Sequence, residues 1–122
     1  MTEIYRTRVT GAGPLAVSFL PEGMFVTFGD NAPEALLEFC FIIEMNKSTA
    51  PLRPGQVFSV DGRAFPITAV GDVARQNLDA LGHLTVNLKG GDRAKLAGSI
   101  HVSSDGPAPD LKVGSVITID EP

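Results

Sequence analysis

The chain has 122 residues, a net charge of −4 and a pI near 5.0; 43% of its residues are hydrophobic and 20% charged. That length buries a core without staples and that balance excludes a disordered chain, so one domain over residues 1–122 is expected. An acidic total with scattered bases (Arg6, Arg8, Arg53, Arg63, Arg75) excludes nucleic acid and anionic membrane as main partners.

From the N-terminus onward, apolar residues recur mostly with period two, in short runs broken by Gly, Pro, Asp and Asn. No basic segment followed by an apolar core opens the chain, and no apolar run approaches the roughly 20 residues of a membrane helix. A cytoplasmic protein that does not itself span a membrane is the expectation. Strands are predicted over Glu3–Thr10, Leu15–Phe19 and Met24–Phe28, with Gly11-Ala12-Gly13-Pro14 as a turn rather than a phosphate cradle. Asp30–Glu38 then offers a capping side chain, Pro33 in the first turn and an acid near a helix start. The next strand, Phe39–Glu44, holds Phe39, Cys40 and Phe41, all expected to be buried.

Strands Gln56–Val60 and Arg63–Val70 flank Asp61-Gly62, the signature of a tight hairpin turn, while Pro66 assigns the second strand to an edge or a bulge. A second short helix runs from Asp72 as N-cap to Gly82 as stop, with Val73, Leu78 and Leu81 as its apolar stripe. His83–Leu88 follows, then Gly90-Gly91-Asp92 as a second hairpin signal, and finally Ala97–Val102 and Ser115–Ile119. Leu52–Asp61 aligns with Leu111–Asp120: leucine, base, any residue, glycine, then an alternating strand ending in aspartate. The expected fold is all-β, a closed or partly open barrel of about nine short strands with two short helices.

The chemical inventory is small. Phosphate-loop, dinucleotide and nucleophile-elbow motifs are absent from the sequence. Cys40 is the one cysteine, which excludes an intramolecular disulfide and fits a small buried hydrophobe. Two histidines, His83 and His101, cannot supply a His-only catalytic zinc site, so neither metal nor cofactor is expected. His101 alternates with Ser99 and Ser103 and is expected at the surface. His83 follows Gly82 where a helix ends and a strand begins, which marks it as the candidate reactive group, against the plainer reading of a strand-edge histidine bonded to a carbonyl.

Several stretches carry a resemblance: Met24–Phe28, Ala32-Pro33, Cys40-Phe41-Ile42, Pro54–Phe58, Pro66–Gly71, Asn77–Thr85, Ile100-His101-Val102, and Pro109-Asp110 with Gly114-Ser115-Val116. In order and spacing they resemble the glucitol/sorbitol-specific enzyme IIA component of the bacterial phosphoenolpyruvate-dependent sugar phosphotransferase system. The resemblance implies a mainly β domain that takes phosphate from the histidine-containing phosphocarrier protein and passes it to the IIB domain of the sugar permease.

It also implies a phosphoacceptor histidine directly after Cys-Phe-Ile, a position that is Ile43 here. Isoleucine has no lone pair and cannot be phosphorylated. Glu44 is no substitute, because successive strand side chains point to opposite faces. Three readings follow from the sequence: a relay acting through His83, a catalytically silent relative that binds or regulates, and a small-ligand or interaction barrel unrelated to phosphotransfer.

Overall fold

The computed structural model describes residues 2–122. Its longest strand, β1 (Thr2–Ala12), alternates so that Tyr5, Thr7 and Val9 are buried while Arg6, Arg8 and Thr10 face solvent. The other strands among the described residues are β2 (Met24–Phe28), β3 (Phe41–Ile43), β4 (Val57–Val60), β5 (Arg63–Val70), β6 (Leu84–Asn87), β7 (Ser99–Val102) and β8 (Val116–Glu121). They close into a barrel in the order β1-β3-β2-β6-β7-β5-β4-β8. Two short helices, α1 (Glu34–Leu37) and α2 (Ala74–Leu81), complete the β-dominated fold, with a 3₁₀ turn at Leu20–Glu22. The barrel is filled by inward side chains: Phe25 meets Phe41 edge-on with centroids 6.1 Å apart, and the Phe58 ring lies 6.2 Å from that of Phe25.

The internal repeat is structural. Arg53–Gln56 and Lys112–Ser115 are the same turn, with Gly55 at φ 96° and Gly114 at φ 97°, and Gln56 and Ser115 each accept from the backbone N–H of the turn's first residue. The two strands that follow, β4 and β8, pair antiparallel with Phe58 opposite Ile119. Closure extends the relation: β8-β1-β3-β2 mirrors β4-β5-β7-β6, and both β2·β3 and β6·β7 are parallel. Gly23 and Gly82, separated by the same offset as Gly55 and Gly114, are both left-handed and stand before β2 and β6.

Five expectations are corrected. Leu15–Phe19 is a run of turns, bonded Ala16 N–H to Gly13 O and Ser18 N–H to Leu15 O, and its Leu15 and Val17 have no sheet face to cover them. Gly90-Gly91 begins a crossover and not a hairpin, since β6 and β7 run parallel. Asp72 does not cap α2: Gly71 and Val73 bond to the carbonyls of Ser99 and Ala97, so the helix starts at Ala74 with Asp72 turned outward. Pro33 precedes α1 instead of sitting in it, and no side chain caps that helix. Phe39 lies before β3 and is half-buried against Phe19, whereas Cys40 and Phe41 are buried as expected. The Asp61-Gly62 hairpin is as predicted, with both residues at positive φ.

Candidate functional site

His83 sits where α2 hands over to β6, and that junction is tightly built. Gly82 caps α2 in the left-handed conformation, its N–H bonding to the Asn77 and Leu78 carbonyls. Its own carbonyl accepts from Thr27 Oγ1 at 2.9 Å, and Gly29 N–H donates to Leu81 O at 2.8 Å. A Cβ on Gly82 would come within 2.8 Å of Gly29 N, so only glycine lets the helix end approach β2 this closely. The end of α2 is thereby pinned to the end of β2.

Leu84 and Val86 point into the barrel, which places His83 and Thr85 on its outer face. There the imidazole stacks on Phe28, centroids 4.5 Å apart and planes 20° from parallel. Among the described residues the ring makes no hydrogen bond, and burial lowers its pKa below the usual 6.5, so it is neutral at pH 7. It borders a cleft of about 320 Å³ whose other walls are Met24 and Val26 of β2, Thr85, Cys40, and the aromatic and aliphatic groups of Phe19, Leu36 and Phe39. Two larger hollows, of about 460 and 490 Å³, contain neither histidine.

The structure separates the other candidates from this cleft, Cys40 excepted. Ile43 is 2% exposed and faces inward with Phe41, opposite Val9 of β1. It therefore lies on the inner surface of the sheet and His83 on the outer. Cys40 packs with Phe28 and Ala32 beneath the cleft, and burial raises its thiol pKa, which keeps it protonated and unreactive at neutral pH. Glu44 is exposed and ion-paired with Arg8 at 3.3 Å. Among the described residues no group of three or more His, Cys, Asp and Glu could hold a metal ion.

His101 is not at the surface; it is 2% exposed. Every residue of β7 is buried, because the crossover 88–98 folds over its outward side. Nδ1 donates to Gly90 O at 2.7 Å, the tautomer that lets Nε2 accept from Lys95 N–H at 3.3 Å. The ring fastens that crossover to the barrel.

Sequence reasoning did not find Phe28 as the partner of His83, although Phe28 shares the outward period of Met24 and Val26. Nor did it find the cluster in which Ser48 donates to Asp79 through N–H (2.8 Å) and Oγ (2.9 Å) while Arg75 Nε donates to Ser48 Oγ (2.9 Å). That cluster joins residues distant in the chain and no local pattern announces it.

Comparison with known proteins places these features in context. A family model described as the PTS system glucitol/sorbitol-specific IIA component matches residues 4–118. A curated protein of Escherichia coli (strain K12), the PTS system glucitol/sorbitol-specific EIIA component, is 40% identical over 121 residues, covering 98% of this chain and 97% of its own. The corresponding protein of Shigella flexneri is similar to the same extent. Among solved structures, the PTS system IIA component from Enterococcus faecalis V583 superposes with a TM-score of 0.80 at 22% identity, over 93% of this chain and 97% of that one, a likeness of fold.

Proposed function

Because this chain belongs to the glucitol/sorbitol-specific IIA family of the sugar phosphotransferase system, we propose that it relays phosphate from the histidine-containing phosphocarrier protein to the permease IIB domain, with His83 as acceptor. The observation that carries this reading is a neutral imidazole, without a hydrogen bond among the described residues, at the wall of an apolar cleft. Phosphoryl transfer between proteins needs a nitrogen lone pair in line with phosphorus and a contact that excludes water. A neutral ring supplies the first, and apolar walls favour the second. In the transfer step the donor's N–P bond breaks as a bond from a His83 ring nitrogen to phosphorus forms. The proton released by the second His83 nitrogen balances the one taken up by the donor imidazole.

Incubation with phosphoenolpyruvate, enzyme I and the phosphocarrier protein, followed by intact mass, tests the reading. One phosphoryl group gained by the parent and none by His83→Gln is the expected result. A second reading rests on Ile43: the position that corresponds to the family acceptor carries a side chain without a lone pair, closed inside the core. A catalytically silent docking or regulatory module follows from that observation, and no phosphoryl gain by the parent would establish it over the relay.

A further inference from the structure

Helix α2 is eight residues long, has no side-chain cap at its start and buries only Ala74 and Leu78 in the core. A helix this short does not fix its own orientation; its tertiary attachments do. Arg75 and Asp79, one turn apart, reach the segment 44–49 that follows β3. That segment is fastened to β1: Glu44 N–H bonds to Arg8 O at 3.1 Å, Asn46 Nδ2 to Arg6 O at 2.9 Å and Thr49 N–H to Ile4 O at 2.8 Å. Against it the Asp79 carboxylate accepts from Ser48 N–H at 2.8 Å and from Ser48 Oγ at 2.9 Å, and Arg75 Nε closes the group by donating to Ser48 Oγ at 2.9 Å. Ser48 is 7% exposed, so these bonds are largely sheltered from competing water. Asp79 stands four residues ahead of His83, with the end of α2 and the Gly82 cap between them. Met45, in the same segment, packs over that cap: a Cβ on Gly82 would come within 3.1 Å of its Sδ.

We infer that Asp79 is a positioning residue for His83: Ser48 and Arg75 hold its carboxylate, and that grip sets the slide and rotation of α2 and hence where the imidazole lies on Phe28. The consequence for phosphoryl transfer rests on the relay reading above. Asp79 is not part of the cleft wall, so it acts through the helix and its cap. In-line attack tolerates little displacement of the acceptor nitrogen, since a misplacement of about 1 Å costs about 10²-fold in rate.

The test reads the ring first. NOEs between the Phe28 and His83 rings and the His83 titration are measured in the intact parent, Ser48→Ala and Asp79→Ala. Both variants should weaken the NOEs and move the His83 pKa upward toward 6.5 as the ring leaves its covered position. Deleting a carboxylate would by its charge alone move that pKa down, so the direction separates displacement from electrostatics. His101→Ala, which loosens the 88–98 crossover, should leave both readings as in the parent. Phosphoryl uptake at saturating phosphocarrier protein should slow by about tenfold or more in both variants, with the half-saturating concentration unchanged. Unchanged NOEs and titration, or equal changes in His101→Ala, would overturn the positioning role. Should Asp79→Ala fail to fold, Ser48→Ala decides the matter, because it keeps the backbone N–H bond to Asp79. A displaced ring with no phosphoryl uptake by the parent would keep the positioning role and sink the relay. Uptake by the parent and by both variants at one rate would overturn the consequence for transfer.

Discussion

The Phe28 ring lies against the His83 imidazole at 4.5 Å, one of the two on the last residue of β2 and the other just ahead of β6. The stack covers one face of the imidazole and contributes to the burial that lowers its pKa. In the parent, His83 should titrate below 6.5 by NMR, and in Phe28→Ala its pKa should move upward toward that value. An unchanged value would assign the shift to other neighbours. A folded-state pKa below the unfolded one also means that the unfolded chain binds more protons as pH falls under about 6.5. The His83 contribution to stability is therefore complete above that pH and is lost as pH drops through the lowered value.

Exchanging the two histidines should separate site from scaffold. His101→Ala removes two ring hydrogen bonds and strands the Gly90 carbonyl and Lys95 N–H, costing about 3 kcal/mol of stability and speeding hydrogen exchange in the 88–98 crossover. His83→Gln removes no hydrogen bond, so its unfolding midpoint should stay close to the parent while phosphoryl uptake is lost. Equal destabilisation by both would return His83 to a structural role.

At Ile43 the prediction is negative. In the His83→Gln background, Ile43→His should take up no phosphoryl group, because position 43 faces the barrel core beside Val9. Burying an imidazole there should cost about 1–3 kcal/mol in chemical denaturation. Phosphoryl uptake by this double variant would show that the inner position is reachable and that the acceptor site the resemblance implies persists.

Phe41 is 0% exposed and edge-on to Phe25. Phe41→Ala should cost about 3–5 kcal/mol by urea unfolding, the range for an aromatic truncation in a closed core. A loss under about 1 kcal/mol would be inconsistent with that packing.

Tyr5 carries the one buried side-chain polar atom among the described residues that lacks a hydrogen-bond partner. Its neighbour Thr7 gives its own proton to Glu44 O at 2.8 Å, and no bonding geometry joins Thr7 to the phenol. Burial pushes the Tyr5 hydroxyl up to about 12, and the Asp79 carboxylate adds to the shift. The folded state then holds a proton that the unfolded chain releases above pH ~10, so stability should fall between pH 10 and about 12. Tyr5→Phe should remove that fall and raise stability at pH 7 by about 1 kcal/mol, since an unpaired buried hydroxyl is lost. A destabilised variant would mean that the hydroxyl has a partner.

Residue pattern alone determined the barrel's strands wherever one face meets the core and the other meets water. Met24–Phe28, Arg63–Val70 and the Leu52/Leu111 repeat were legible because period two and turn glycines are local properties. The Asp61-Gly62 hairpin was legible for the same reason, and Gly82 as a helix stop because positive φ selects glycine. Tertiary structure decided the rest. Whether β6 and β7 pair parallel depends on where the crossover goes, and Gly90-Gly91 reads alike in a hairpin and in a crossover. His101 alternates like a surface residue, and only the crossover folded over β7 buries it. His83 was legible as a candidate from Gly82, but its partner Phe28 and the cleft wall from α1 come from separate segments. Local pattern gives the face a side chain occupies; what else covers that face is set by contacts far apart in the chain.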